Sequence, residues 1–154
     1  MPDSAYLAAV KMLSRRELSE AQLRQRLARK AYEEGEIEDA VTRLKENRAV
    51  DDMRVAGAIA RMETGIRKRG PLRVRQKLAA AGIPRAAADA ALAAVLESVD
   101  LDALLDAALT RRLKGRDTIA DDAEMSRLYR QLTTQGFDSG QVMRLLRSRR
   151  RGDA

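Results

Sequence analysis

The sequence predicts an all-α fold, a tandem array of three three-helix repeats, elongated and curved. Three observations predict it. First, one apolar frame recurs around Leu27, Leu78 and Leu132, anchors that lie 51 and 54 residues apart. Four residues before the anchors stand Leu23, Val74 and Leu128; five after them stand Tyr32, Ile83 and Phe137. Farther on come Ile37, Ala40 and Val41, then Ala88, Ala91 and Leu92, then Val142, Leu145 and Leu146, each set at the same offsets. A fixed period of this size marks an array of supersecondary units, which works by lying along a partner. Second, the substantial segments carry apolar residues at the spacing of one helical face, and no strand pattern competes. Third, Ser, Asp, Pro and Gly punctuate the chain where helices start and stop.

The first repeat covers residues 1–50. Ala5 to Leu13 places Leu7, Val10 and Leu13 on one helical face. Ser19 with Gln22 three residues later forms a capping box, opening a helix that buries Leu23 and Leu27. Ile37, Ala40, Val41 and Leu44 make the stripe of a third helix. The second repeat covers 51–98. Asp51 is its N-cap, with Asp52 at the positive end of the helix dipole, followed by Val55, Ala56, Ile59 and Ala60. Gly70-Pro71 starts the next helix and Gly82 ends it. Pro84 opens a helix carrying Ala88, Ala91, Leu92 and Val95. The third repeat covers 99–150. Its first stripe is Leu101, Leu104, Leu105, Ala108 and Leu109, followed by a loop from Lys114 to Ala120. A helix through Met125, Leu128 and Leu132 ends at Gly136, and Asp138 caps the last one. The first helix of each repeat does not hold register with the other two. The tail from Arg147 to Ala154 is basic and then frays, with 151–154 disordered.

The chain has 154 residues, a net charge of +7, and neither Cys nor His. That composition excludes thiolate nucleophiles, disulfides, imidazole acid–base catalysis and Cys/His zinc sites. Aromatic residues are only 3% of the chain, so the helices pack through Ala and Leu. Asp51-Asp52 and Asp121-Asp122 are the paired carboxylates, but both pairs sit where helices start, which makes them caps. There is no Gly-rich phosphate loop and no metal constellation. The expectation is a non-enzyme without cofactor or metal. The N-terminus lacks the order of a signal peptide and no apolar run is long enough to span a membrane, so the expected location is cytoplasmic.

Charge is uneven. Between Arg54 and Arg85 nine basic residues face a single acid, Glu63. From Ala86 to Thr110 the balance inverts to five acids and no base. Arg61, Arg67, Lys68, Arg69, Arg73, Arg75 and Lys77 form a basic ridge and are the candidate partner contacts. Arg73 and Lys77, four apart, share a face outside the Val74–Leu78 stripe. Like charges at this spacing cost about 0.2–0.5 kcal/mol per pair, which a bound polyanion would offset. The plain alternative is a solvated face that pairs with neighbouring acids. The terminal Arg147, Arg149, Arg150 and Arg151 add only non-specific attraction to phosphate. No aromatics interleave the ridge, so contacts to nucleic acid would be to backbone phosphate and not to stacked bases.

Two blocks carry a family resemblance. One runs from Arg15-Arg16-Glu17-Leu18-Ser19-Glu20 through Leu23, Leu27 and Ile37–Leu44 into Asp51-Asp52-Met53-Arg54-Val55-Ala56. The other is Gly70-Pro71, Val74, Leu78 and Gly82-Ile83. Together, over about residues 5–85, they resemble the RecX family of bacterial regulators of the RecA recombinase. The C-terminal third matches in repeat form, through Leu128, Leu132, Gly136 and Phe137. Ala31 stands where a Gly is usual, Arg48 where a small turn residue is usual, and Val55 and Ile59 where aromatics are common. The resemblance implies an array of three-helix units that binds RecA filaments on single-stranded DNA and modulates, mostly inhibits, strand exchange, ATP hydrolysis and the coprotease activity of the SOS response, without a cofactor. Carried over residue by residue, Asp51, Asp52, Gly70, Pro71 and Gly82 are structural.

Three functions compete at this level. The first is a monomeric regulator of the RecA filament. The second is a general helical module for the phosphate backbone of single- or double-stranded DNA. The third is a helical adaptor with an acidic protein partner.

Overall fold

The computed structural model describes residues 3–150. Among these it holds nine α-helices and no strand: α1 Ala5–Arg15, α2 Glu20–Arg29, α3 Glu34–Glu46, α4 Asp52–Arg61, α5 Pro71–Ala80, α6 Arg85–Leu96, α7 Leu101–Leu113, α8 Asp122–Thr134 and α9 Ser139–Ser148. A π-helical turn, Met62–Ile66, continues α4. Side chains start several helices. Ser19 and Gln22 form the predicted reciprocal capping box, and Asp100, Asp121 and Asp138 each accept backbone N–H groups at the start of α7, α8 and α9. Asp51 Oδ1 accepts from the Arg54 N–H at 3.2 Å, as a cap should. Asp52 Oδ1 instead accepts from the Glu20 N–H at 2.9 Å, tying the start of α2.

The chain divides into two compact units, residues 1–58 with 78–91, and residues 59–77 with 92–154. The first is built around Ala8, Ala9, Leu18, Leu23, Leu27, Ile37, Val41, Leu44 and Val50. The second is built around Leu105, Ala108, Leu109, Leu113, Ile119, Leu128, Leu132, Phe137, Val142 and Leu146. Each fully buried Leu or Phe contributes about 1.5–3 kcal/mol of transfer free energy. The positions of the recurrent frame are buried in all three copies, apart from the half-buried Tyr32 and Leu145.

One expectation is corrected. Helix α1 buries Ala5, Ala8 and Ala9, while Leu7 and Val10 are exposed. Both sets have helical spacing, but small side chains let a helix approach closely, and the larger ones are left outside. The basic run after Arg147 is held by specific contacts as far as it is described. Arg149 donates to Asp106 Oδ1 at 2.5 Å, its carbonyl accepts from the Ile119 N–H at 2.9 Å, and Arg150 pairs with Asp122. Residues 151–154, including Arg151, lie outside the described residues.

Glycine matters most at two backbone crossings. In the first unit Gly82 has φ +75°, and a Cβ there would sit 2.4 Å from that of Ala21. In the second unit the α5 start is stitched to the end of α8. The Gly70 N–H donates to Gln135 O at 3.0 Å, and the Leu72 N–H donates to Gly136 O at 3.1 Å. Pro71 has no N–H to satisfy, so the first turn of α5 leaves few orphan donors.

Candidate functional site

The second unit carries an open cleft of about 780 Å³. Its lining includes eight basic side chains and no acid: Arg67, Lys68 and Arg69 from the segment before α5, Arg111 and Arg112 from the end of α7, Lys114 and Arg116 just beyond, and Arg127 from α8. Ala107 and Ala108 of α7 contribute only methyl groups, which keeps the space open. Gln131, Thr134 and Gln135 of α8 add neutral hydrogen-bonding groups.

The segment 67–69 is placed by specific contacts. Glu63, on the π-helical turn, is nearly buried, and its carboxylate lies 3.5 Å from Arg67 Nη1 and 3.9 Å from Arg69 Nε. The Arg69 N–H donates to the Glu63 carbonyl at 2.8 Å. Lys68 adopts φ +55°, a left-handed conformation that a side chain disfavours. Its carbonyl accepts from Gln135 Nε2 at 2.6 Å, and Gln135 Oε1 in turn accepts from Arg112 at 3.1 Å. This chain of bonds connects the 67–69 segment to α8 and α7.

The cations differ in how far they are neutralised. Glu124 accepts from both Arg116 Nη atoms at 2.9 Å and lies 3.4 Å from Arg127. The paired guanidinium of Arg116 holds the Glu124 carboxyl below the usual carboxylate range, and the same hydrogen bond raises Arg116. Lys68, Arg111, Arg112 and Lys114 have no ion pair among the described residues, and of these Arg112 is bonded to the neutral Gln135.

Of the seven residues predicted as partner contacts, the cleft gathers Arg67, Lys68 and Arg69. Arg61, Arg73, Arg75 and Lys77 do not line it. Arg73 is half-buried and bonds to Gln76 Oε1 at 3.0 Å, Lys77 is half-buried, and Arg61 and Arg75 are exposed. Arg111, Arg112, Lys114, Arg116 and Arg127 escaped the sequence reading. The signal available was the switch from the acidic stretch before Thr110 to four bases between Arg111 and Arg116. Of the motif residues, Asp51 and Asp52 accept backbone N–H groups, Gly70 and Gly82 lie against neighbouring atoms, and Pro71 holds the first position of α5. Among the described residues no group of carboxylates could hold a metal ion, and no helix is long and apolar enough to cross a membrane.

Comparison with known proteins agrees with this architecture. Residues 5–44 match the first three-helix domain of RecX, and residues 51–92 match the second. The regulatory protein RecX of Halorhodospira halophila is 33% identical over 88% of this chain and 81% of its own length. That of Vibrio campbellii is 31% identical over 90% of this chain and 87% of its own. A crystal structure of regulatory protein RecX superimposes with a TM-score of 0.75 at 24% identity, covering 94% of this chain and 70% of the other. RecX from Lactobacillus salivarius superimposes with a TM-score of 0.71 at 19% identity, covering 94% and 95%. These two likenesses show the all-helical fold, whereas the matched domains and the relatives above 30% identity show descent. The chain belongs to the RecX family of regulatory proteins.

Proposed function

We propose that this protein binds RecA filaments on single-stranded DNA and modulates, mostly inhibits, the recombinase, ATPase and coprotease activities of RecA. Membership of the RecX family carries this reading. An all-helical scaffold with a basic cleft suits a partner made of protein and phosphate. The protein acts as a monomer in the cytoplasm, without catalysis or cofactor, on DNA repair, recombination and the SOS response. Arg61, Arg67, Lys68, Arg69, Arg73, Arg75 and Lys77 are proposed as filament contacts.

The test compares binding to bare single-stranded DNA and to the RecA–DNA filament across a salt series, with RecA ATPase followed in parallel. Tighter binding to the filament, with a drop in ATPase, is expected. Equal affinity for bare DNA and an unchanged ATPase would support the second reading, a general phosphate-backbone module. The unpaired cations of the cleft favour that second reading, since they need only phosphate and not RecA.

A further inference from the structure

We infer that the cleft of the second unit grips the phosphodiester backbone of one nucleic-acid strand, with Lys68, Arg111 and Lys114 receiving the phosphates. The inference rests on the reading that DNA is part of the partner, and it names the site and the groups.

The cations on this wall fall into two classes. Arg67 and Arg69 lean on Glu63, and Arg116 and Arg127 lean on Glu124. Those carboxylates fix the frame of the cleft and offset part of its charge. Arg112 bonds to the neutral Gln135, and Lys68, Arg111 and Lys114 line the open space with no ion pair among the described residues. The cluster is built and not incidental. Lys68 is held in a left-handed backbone conformation, and its carbonyl is clamped by Gln135, which Arg112 orients from α7. Holding like charges around one cavity with no carboxylate of its lining against them is unfavourable. A bound polyanion relieves that repulsion and releases its own counterions.

The chemistry of the lining selects the ligand. No aromatic side chain lines the cleft, so no base is stacked and no sequence is read. A volume of about 780 Å³ is in the range of ligand pockets, room for a short stretch of one backbone. A nucleic-acid strand carries a charge on every nucleotide, whereas a peptide carries one only where Asp or Glu stands, so the strand is the better match for a row of cations.

The experiment is fluorescence anisotropy of dye-labelled oligo(dT) with the full chain between about 50 and 200 mM salt. R111E/K114E is compared with R85E/R130E, which makes the same charge change at exposed positions outside the cleft. The cleft variant should bind at least about tenfold more weakly, and its log–log salt slope should fall by about 1.4, or 0.7 for each lost phosphate contact. The outer variant should lose no more than about threefold, because exposed distant charges are screened. Circular dichroism checks the fold, and R111Q/K114Q repeats the test without reversed charge. Equal losses in the two doubles overturn the proposal, as does an unchanged cleft variant. Duplex DNA bound as tightly as the strand, or pyrophosphate or poly-glutamate competing as well as oligo(dT), overturns the assigned ligand. RecA ATPase measured on the same variants separates the two readings. Lost strand binding with intact ATPase regulation supports the cleft and leaves filament regulation to other contacts. Lost regulation with intact strand binding overturns the cleft and spares the regulator.

Discussion

Gly70 and Gly136 meet backbone against backbone. A Cβ on Gly70 would lie 2.4 Å from both the carbonyl carbon and the carbonyl oxygen of Gly136. A Cβ on Gly136, which has φ +109°, would lie 2.4 Å from the Arg73 nitrogen. Neither neighbour is the movable end of a side chain. Gly70→Ala is therefore expected to cost about 1–3 kcal/mol through overpacking, read as a lower urea midpoint with an unchanged m-value. Gly35→Ala is the control. No atom would lie within 4 Å of its Cβ, and that variant should equal or exceed the parent in stability.

Ser19 joins two parts of the first unit. Its hydroxyl is fully buried, donates to the Ala81 carbonyl at 2.5 Å, and accepts from the Gln22 N–H at 3.1 Å. Ser19→Ala removes the N-cap of α2 and strands a buried carbonyl. The expected loss is about 2–3 kcal/mol, measured by thermal or urea unfolding. Ser19→Thr keeps the hydroxyl and should recover part of that stability.

Ala31 and Arg48 occupy left-handed conformations, with φ of 64° and 61°. Such a residue costs about 1–2 kcal/mol, while a glycine there gives back about 0.4–1 kcal/mol through its freer unfolded chain. Ala31→Gly and Arg48→Gly should each stabilise by about 0.5–1 kcal/mol, visible as a higher midpoint. A fall in stability at both sites would show that the left-handed backbone is not strained.

The difference between what the sequence disclosed and what it hid is physical. Leu27, Leu78 and Leu132 were legible because burial repeats with helical period. Ser19, Asp121 and Asp138 were legible because a cap bonds to its own next turn. Leu7 and Val10 misled because hydropathy favours large side chains, whereas Ala8 and Ala9 make the close contact. The π-helical turn has no side-chain signature. The cleft was hidden because Lys68 and Arg111 lie more than forty positions apart in the chain. They share one cavity only through the packing of α7 on α8 and the Gln135–Lys68 bond. Charge counted along the chain divided these cations between a basic middle and an acidic third repeat.

Glu124 links acid stability to the charge of the cleft. Its hydrogen bond from Arg116 depresses its folded pKa below the ordinary value. The stabilisation is therefore complete above the unfolded pKa, about 4.3, and is lost as pH falls through the lower folded value. Glu124→Gln should flatten the fall in stability below that pH, because the group that must bind a proton on unfolding is gone. At neutral pH the same change leaves Arg116 and Arg127 without their shared counter-charge and makes the cleft more positive. Oligo(dT) should then bind more tightly than to the parent at low salt, and the gain should shrink as salt rises. A parallel pH titration by NMR of the Glu124 side chain fixes the sign. A carboxyl titrating at or above the ordinary value would remove the basis for the acid-limb prediction.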